Sequence, residues 1–228
     1  MIYAIKHNKV NRAIFKANED ALTSSIFERL MYLPQELLHY IFATALFDEI
    51  ENLELHQIES ITFWPNWDPA CTTNKTHVQP DVFIRTSKQD IIIEGKRYDV
   101  NQQYADQWKN EIQAYYNEYA DESKPLLFIA LGGLYTHDTQ IIDVKGTEHK
   151  IYMCAWKNLL NTIQHIIYDL ELASNYTNSN VALARILKDI VLCFELFGFP
   201  TALWLERFIK APKIQQQSLN YFSSQWTN

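Results

Sequence analysis

The sequence predicts a mixed α/β domain with a helical C-terminal part, and three observations carry that prediction. Leu22, Ile26, Leu30 and Leu33 recur at helical spacing near the start. Two runs rich in Val, Ile and Phe, Asp81–Arg85 and Asp90–Glu94, lie close together and read as strands. An amphipathic stretch and a short apolar run follow them, and the rest of the chain is periodic in the helical sense.

In order, residues 1–16 carry Lys6, Lys9, Arg12 and Lys16 and are expected to form a short strand or arm. Asn18 is suited to cap a helix whose first turn holds Glu19 and Asp20, where the exposed N–H groups favour acids. Pro34 breaks that helix and suits the first position of a second one, which runs to about Phe47. Residues 59–64 read as a strand, and Pro65–Thr76 as a loop punctuated by Pro, Asn and Asp.

After the two central strands, residues 101–120 are expected to be a helix with Tyr104, Trp108, Ile112, Tyr115 and Tyr119 on one stripe. Leu126–Leu131, ended by Gly132-Gly133, suits a buried strand, and Lys150–Trp156 suits another. Lys157–Leu172 has one apolar face, Val181–Phe197 is apolar nearly all round, and Pro200–Lys210 is expected to be a last short helix before a polar tail, Gln215–Asn228. Without a linker, a repeat or a low-complexity tract, residues 1–228 read as a single domain, with C-terminal helices over about 178–212.

Composition narrows the function classes. Of 228 residues, 47% are hydrophobic and 21% charged, the balance of a chain able to fill a core. The formal net charge of −7 argues against a protein that coats nucleic acid by overall charge. It leaves a local basic groove, a basic partner, or carboxylates loaded with metal. Cys71, Cys154 and Cys193 are far apart and form no CxxC pair, which disfavours structural zinc and fits a reducing compartment. The first residues lack a secretory apolar run, and Leu37–Phe47 is too short to span a bilayer, so the expectation is a cytoplasmic protein without a membrane segment.

The chemistry concentrates in the central hairpin. A two-residue turn at Ser87-Lys88 sets Arg85 opposite Asp90, Phe83 opposite Ile92 and Asp81 opposite Glu94. Lys96, two residues past Glu94, points to the same face. Val82, Ile84, Ile91 and Ile93 then form a wholly apolar opposite face. Two carboxylates side by side at the end of an apolar hairpin are costly unless neutralised, and a divalent cation does that. Asp81 and Glu94 supply hard oxygen ligands suited to Mg²⁺ or Mn²⁺, with the Gly95 carbonyl as a further ligand. Lys96 is placed to hold or deprotonate a water and to stabilise developing negative charge.

Pro80-Asp81, a spacer, then Glu94-Gly95-Lys96 resembles the PD-(D/E)XK nuclease superfamily. The resemblance implies a restriction-endonuclease-like αβββαβ core over roughly residues 18–170, with a mixed sheet flanked by helices and a C-terminal helical extension. It also implies a nuclease hydrolysing phosphodiester bonds, of DNA by expectation, with Asp81 and Glu94 as metal ligands and Lys96 as the catalytic lysine. Restriction or anti-phage defence would be its setting, with a homodimer or a defence-system protein as partner.

An acid on the first helix often joins such sites, and Glu19 and Glu28 are the candidates, Glu19 preferred. A first-turn acid favouring the helix dipole explains Glu19 equally well. Some members carry a helical glutamine after the ExK strand. Gln107 is preferred over Gln103, with Gln113 a remote third, against the plain reading of solvated helix residues. Trp64 and Trp67 flank Pro65-Asn66 and either stack on bases or belong to the core. Arg97, with Arg12, Lys16, Lys75 and Lys109, is expected to form a phosphate-binding rim, and Arg207, Lys210 and Lys213 a second basic cluster. The competing reading, from a different class, is a catalytically inactive nuclease-like subunit that serves binding or assembly.

Overall fold

The computed structural model describes residue 7 and residues 18–46, 57–97, 101–172 and 178–201. The expected N-terminal arm with Arg12 and Lys16, most of the Pro200–Lys210 helix, the polar tail and the basic cluster of Arg207, Lys210 and Lys213 lie outside these residues.

Helix α1 spans Glu19–Leu30, and the Asn18 side chain caps it by accepting from the Ala21 N–H at 3.0 Å. Leu22, Ile26 and Leu30 are buried on one face, as their spacing implies. Helix α2 spans Gln35–Ala45, with Pro34 as the cap residue just before the helix, where its missing N–H costs nothing. Strand β1 (Ile58–Phe63), β2 (Val82–Thr86) and β3 (Asp90–Gly95) pair antiparallel in sequence. Helix α3 (Ala105–Tyr119), followed by a 3₁₀ turn at Ala120–Glu122, crosses over to β4 (Leu126–Leu131), which runs parallel to β3.

Next comes a hairpin of β5 (Gln140–Val144) and β6 (Thr147–Cys154), with β6 parallel to β4. Helices α4 (Trp156–Leu172) and α5 (Asn178–Leu196) complete the described chain. The six strands form one mixed sheet in the order β1-β2-β3-β4-β6-β5.

The hairpin register is the expected one: Val82 faces Ile93, Phe83 faces Ile92, Ile84 faces Ile91 and Arg85 faces Asp90. Strand alternation divides the core in two. Val82, Ile84, Ile91, Ile93, Leu127, Ile129 and Leu131 pack against α1, α2, α4 and α5. Phe83, Ile92, Phe128, Ala130, Ile151 and Met153 pack against α3, chiefly through Trp108, Ile112 and Tyr115. The molecule is thus three layers deep, helices on both faces of a sheet.

Four expectations need correction. Residues 140–144 form a strand, because Lys145 and Gly146, both at positive φ (52° and 83°), make the tight turn that folds them back on β6. The last strand ends at Cys154, since Trp156 already opens α4. Helix α5 carries exposed residues between its buried ones and is amphipathic, not buried all round. Tyr104 precedes α3 and is 63% exposed, so it does not join the buried stripe.

Candidate metal centre

β3 leads directly into the site. Its parallel neighbours β4 and β6 end at the same side of the sheet, and the Lys96 N–H continues the ladder by donating to the Leu131 carbonyl at 2.7 Å. The carboxyl ends of parallel strands are where α/β sheets offer a crevice. Here the crevice has an acidic lining.

Asp81 sits one residue before β2 and is 6% exposed. The expected cross-strand pairing with Glu94 is not part of the ladder, which stops at Val82–Ile93. Asp81 bends out of the strand instead, and its Oδ2 accepts the Gly95 N–H at 2.7 Å. Its Oδ1 accepts the Trp64 indole N–H at 3.1 Å. Burial first, and then the charge of Glu94, push its pKa up to about 7 against those two hydrogen bonds and the nearby Lys96.

Glu94 is 2% exposed. Its Oε1 accepts from the Lys96 ammonium and from the Gln107 amide, the latter at 2.5 Å. Burial raises its pKa, with Lys96 working in the opposite direction. Lys96 also bonds Glu19 Oε1 at 3.1 Å. Burial alone would lower the lysine's pKa, but Glu94 and Glu19 more than offset it and hold the ammonium above its usual range.

One carboxylate oxygen from each of Glu19, Asp81 and Glu94 lies within 4.8 Å of the other two. Glu19 therefore joins the group, whereas Glu28 is exposed further along α1. Glu94 Oε2 is buried and, with Glu111 ionised, meets no donor among the described residues. A buried carboxylate oxygen without a donor is expensive, and a hard cation is one partner that fits it. Among the described residues, these three acids form a group able to hold a divalent ion through their side chains. The Gly95 amide serves Asp81, and a side chain at Gly95 would meet Thr23 Oγ1 at 2.7 Å, so glycine is needed for the packing of α1 against β3.

Helix α3 approaches Glu94 with Gln107 and Glu111, a turn apart, and the segment just before the helix adds Gln103. Gln107 reaches its carboxylate. Gln103 donates to the Glu94 carbonyl at 3.0 Å and the Gly132 carbonyl at 3.2 Å, while its own oxygen accepts the Trp108 indole N–H at 2.8 Å. Gln103 thus fastens helix to strand. Glu111, which the sequence reading missed, is fully buried and, when protonated, hydrogen-bonds Glu94. Burial, then the charge of Glu94 and that hydrogen bond, hold its pKa well above the carboxylate range. The available signal was its position: Trp108, Glu111, Ile112 and Tyr115 form a core stripe, and an acid in such a stripe needs a partner.

The remaining candidates scatter. Trp67 is 3% exposed with its ring edge-on to Phe83, so it is a core residue and offers no face to a base. Trp64 is half-buried at the site through Asp81. Arg97 is half-buried directly after Lys96, Lys109 is exposed on α3, and Gln113 is buried and bonded to Asn117 at 2.7 Å.

No family profile matches the chain. It is 34% identical over 188 residues to an uncharacterized protein of Pasteurella multocida (strain Pm70), a stretch covering 75% of this chain and 66% of that protein. The chain therefore spans just under two thirds of that relative's length. No described helix is long and apolar enough to cross a membrane.

Proposed function

We propose that this chain is a metal-dependent nuclease of the PD-(D/E)XK type, hydrolysing phosphodiester bonds of DNA with Mg²⁺ or Mn²⁺. The observation that carries the reading is the convergence of Glu19, Asp81 and Glu94 within 4.8 Å, with the Lys96 ammonium bonded to two of them. The element order α1-α2-β1-β2-β3-α3-β4, with a second helix between α1 and the first strand, supports an αβββαβ, restriction-endonuclease-like core.

When bound, the ion supplies charge neutralisation and Lewis acidity toward a phosphate oxygen. The protein's part is positional. Trp64 and the Gly95 N–H fix both oxygens of Asp81. Gln107 and Lys96 fix Glu94 Oε1, so Oε2 is the oxygen offered to an ion when Glu111 gives this carboxylate no proton. Lys96 lies between Glu94 and Glu19 as a fixed positive charge, suited to stabilise negative charge building on a phosphate. Its raised pKa favours that role over the role of a general base. Restriction or anti-phage defence is the setting that fits a small enzyme of this kind.

The test is cleavage of single- and double-stranded DNA and of RNA with each metal. Cutting that disappears in Glu94→Ala and Lys96→Ala, with folded variants, supports the reading. Absence of cutting of every form by the intact protein with either metal, together with no heat of Mn²⁺ binding in calorimetry, sinks it in favour of a binding subunit.

A further inference from the structure

Two glycines bring the loop after β4 against the site. Gly132 and Gly133 both have positive φ (71° and 65°). A Cβ on Gly132 would lie 2.2 Å from the Lys96 carbonyl oxygen, and one on Gly133 would lie 2.6 Å from the Lys96 Cβ. The loop is thus pressed onto the lysine itself. It is also tied to the segment entering α3, since the Gln102 and Gln103 N–H groups both donate to the Gly133 carbonyl, at 2.9 and 3.2 Å.

Each arm of this clasp ends in an exposed tyrosine. Tyr104 is 63% exposed and Tyr135 is 87% exposed. Successive Cα atoms are about 3.8 Å apart, so Tyr104 lies within about 4 Å of Gln103, and Tyr135 within about 8 Å of Gly133, measured between Cα atoms. Exposed aromatics are common singly, and Tyr32 and Tyr40 are exposed on this protein without any such attachment. Tyr104 and Tyr135 differ because Tyr104 follows Gln103, whose side chain bonds the Glu94 carbonyl, and Tyr135 follows by two residues Gly133, whose backbone packs on Lys96.

We propose that Tyr104 and Tyr135 form a stacking platform for unpaired bases, so that the strand presented to the metal centre is single-stranded DNA. The inference rests on the nuclease reading and names its substrate form. At −7 the protein has no overall electrostatic pull on a polyanion, so ring stacking has to supply part of the affinity that phosphate contacts do not. Tyrosine suits the task because its large ring is ordered at the cost of only two side-chain torsions. Bases inside a duplex keep their faces covered by their neighbours and cannot use such a platform.

The experiment is fluorescence anisotropy with a labelled single-stranded DNA oligonucleotide and its duplex, in Ca²⁺ so that the strand is not consumed. Tyr104→Ala and Tyr135→Ala should each weaken single-strand binding about 5- to 150-fold, the equivalent of 1–3 kcal/mol of stacking. Tyr→Phe at either position should retain it, and Mn²⁺ binding measured by calorimetry should stay unchanged in all four variants. If both alanine variants bind the single strand like the intact protein while that protein still cuts DNA, the stacking proposal is wrong and the nuclease reading survives. If the intact protein prefers the duplex, the proposal is likewise overturned. If it neither binds nor cuts any nucleic acid, the nuclease reading itself fails.

Discussion

Gln107 donates its amide hydrogen to Glu94 Oε1 at 2.5 Å, on the same oxygen that the Lys96 ammonium contacts. One carboxylate oxygen is thereby held from the helix and from the strand, and the other meets no N–H donor among the described residues. Gln107→Ala removes the helical support and should weaken Mn²⁺ binding several-fold while leaving the fold intact. Gln107→Glu replaces the amide donor by an acceptor and should destabilise the metal-free protein, because it sets a like charge against a buried carboxylate. Isothermal calorimetry distinguishes these outcomes; equal affinity in all three proteins would show that Gln107 does not set the rotamer.

Lys96→Ala and Lys96→Arg separate charge from shape. The alanine variant should lower cleavage by about 10²-fold or more, in line with loss of a group aimed at developing charge. Arginine keeps the charge but not the compact ammonium between Glu94 and Glu19, and should recover little. Single-turnover rates at saturating metal are the measurement, and a lysine-independent rate would exclude Lys96 from the chemistry.

Asp81 makes the metal-free protein sensitive to pH. Its folded pKa of about 7 lies above that of the unfolded chain, so the folded state holds the proton more tightly. The stability it contributes is present at acid pH and is lost as pH rises toward and through 7. Mn²⁺ needs the ionised carboxylate, so the stabilisation by metal should grow over the same interval. Melting temperatures with and without Mn²⁺ should therefore diverge as pH rises, and Asp81→Asn should flatten both curves. Parallel curves in the intact protein would contradict this account.

Gly95→Ala tests the fit of α1 on β3. The added methyl would come 2.7 Å from Thr23 Oγ1 and 3.2 Å from Asp81 Oδ2. Overpacking of that kind costs about 1–3 kcal/mol. Thr23 Oγ1 is itself buried without a hydrogen-bond partner among the described residues, so Thr23→Ala should cost little alone and should restore part of the loss in the double variant. Urea unfolding of the four proteins forms the cycle, and additive losses would refute the contact.

At the opposite end of β3, Tyr115 donates to Asp90 Oδ2 at 2.9 Å and receives the Lys124 N–H at 2.7 Å. Tyr115→Phe leaves buried groups unpaired and should destabilise by about 1–3 kcal/mol. Because this network is remote from the acidic group, Mn²⁺ affinity should not change, and a coupled loss of metal binding would argue against that separation.

The sequence disclosed what is local. Asn18 and its period of apolar residues define α1 because a cap and a helical stripe need only a few neighbours. The β2–β3 register could be read because Arg85 and Asp90 pair while Val82, Ile84, Ile91 and Ile93 share a face. The same logic overextended the ladder to Asp81, where the chain bends so that the carboxylate can take the Gly95 N–H. Strand β5 was missed because its edge position leaves Ile141 exposed and the run partly polar. Glu111 escaped because only the packing of α3 reveals which side of that helix meets Glu94. Glu19 became a candidate through resemblance, since nothing near it in sequence links it to residue 94. Trp67 could not be distinguished from a surface indole until its bridge to Val78 and its aromatic neighbours were placed.

Helix α1, which carries Glu19, lies against α5, and Cys193 Sγ donates to the Ser25 carbonyl at 3.5 Å. One of the three acids is therefore braced by residues that leave the ribosome some 170 positions later than Glu19 itself. A nascent chain that already displays Asp81, Glu94 and Lys96 still lacks the brace that holds Glu19. A chain cut before α5 is therefore expected to carry the motif without that brace.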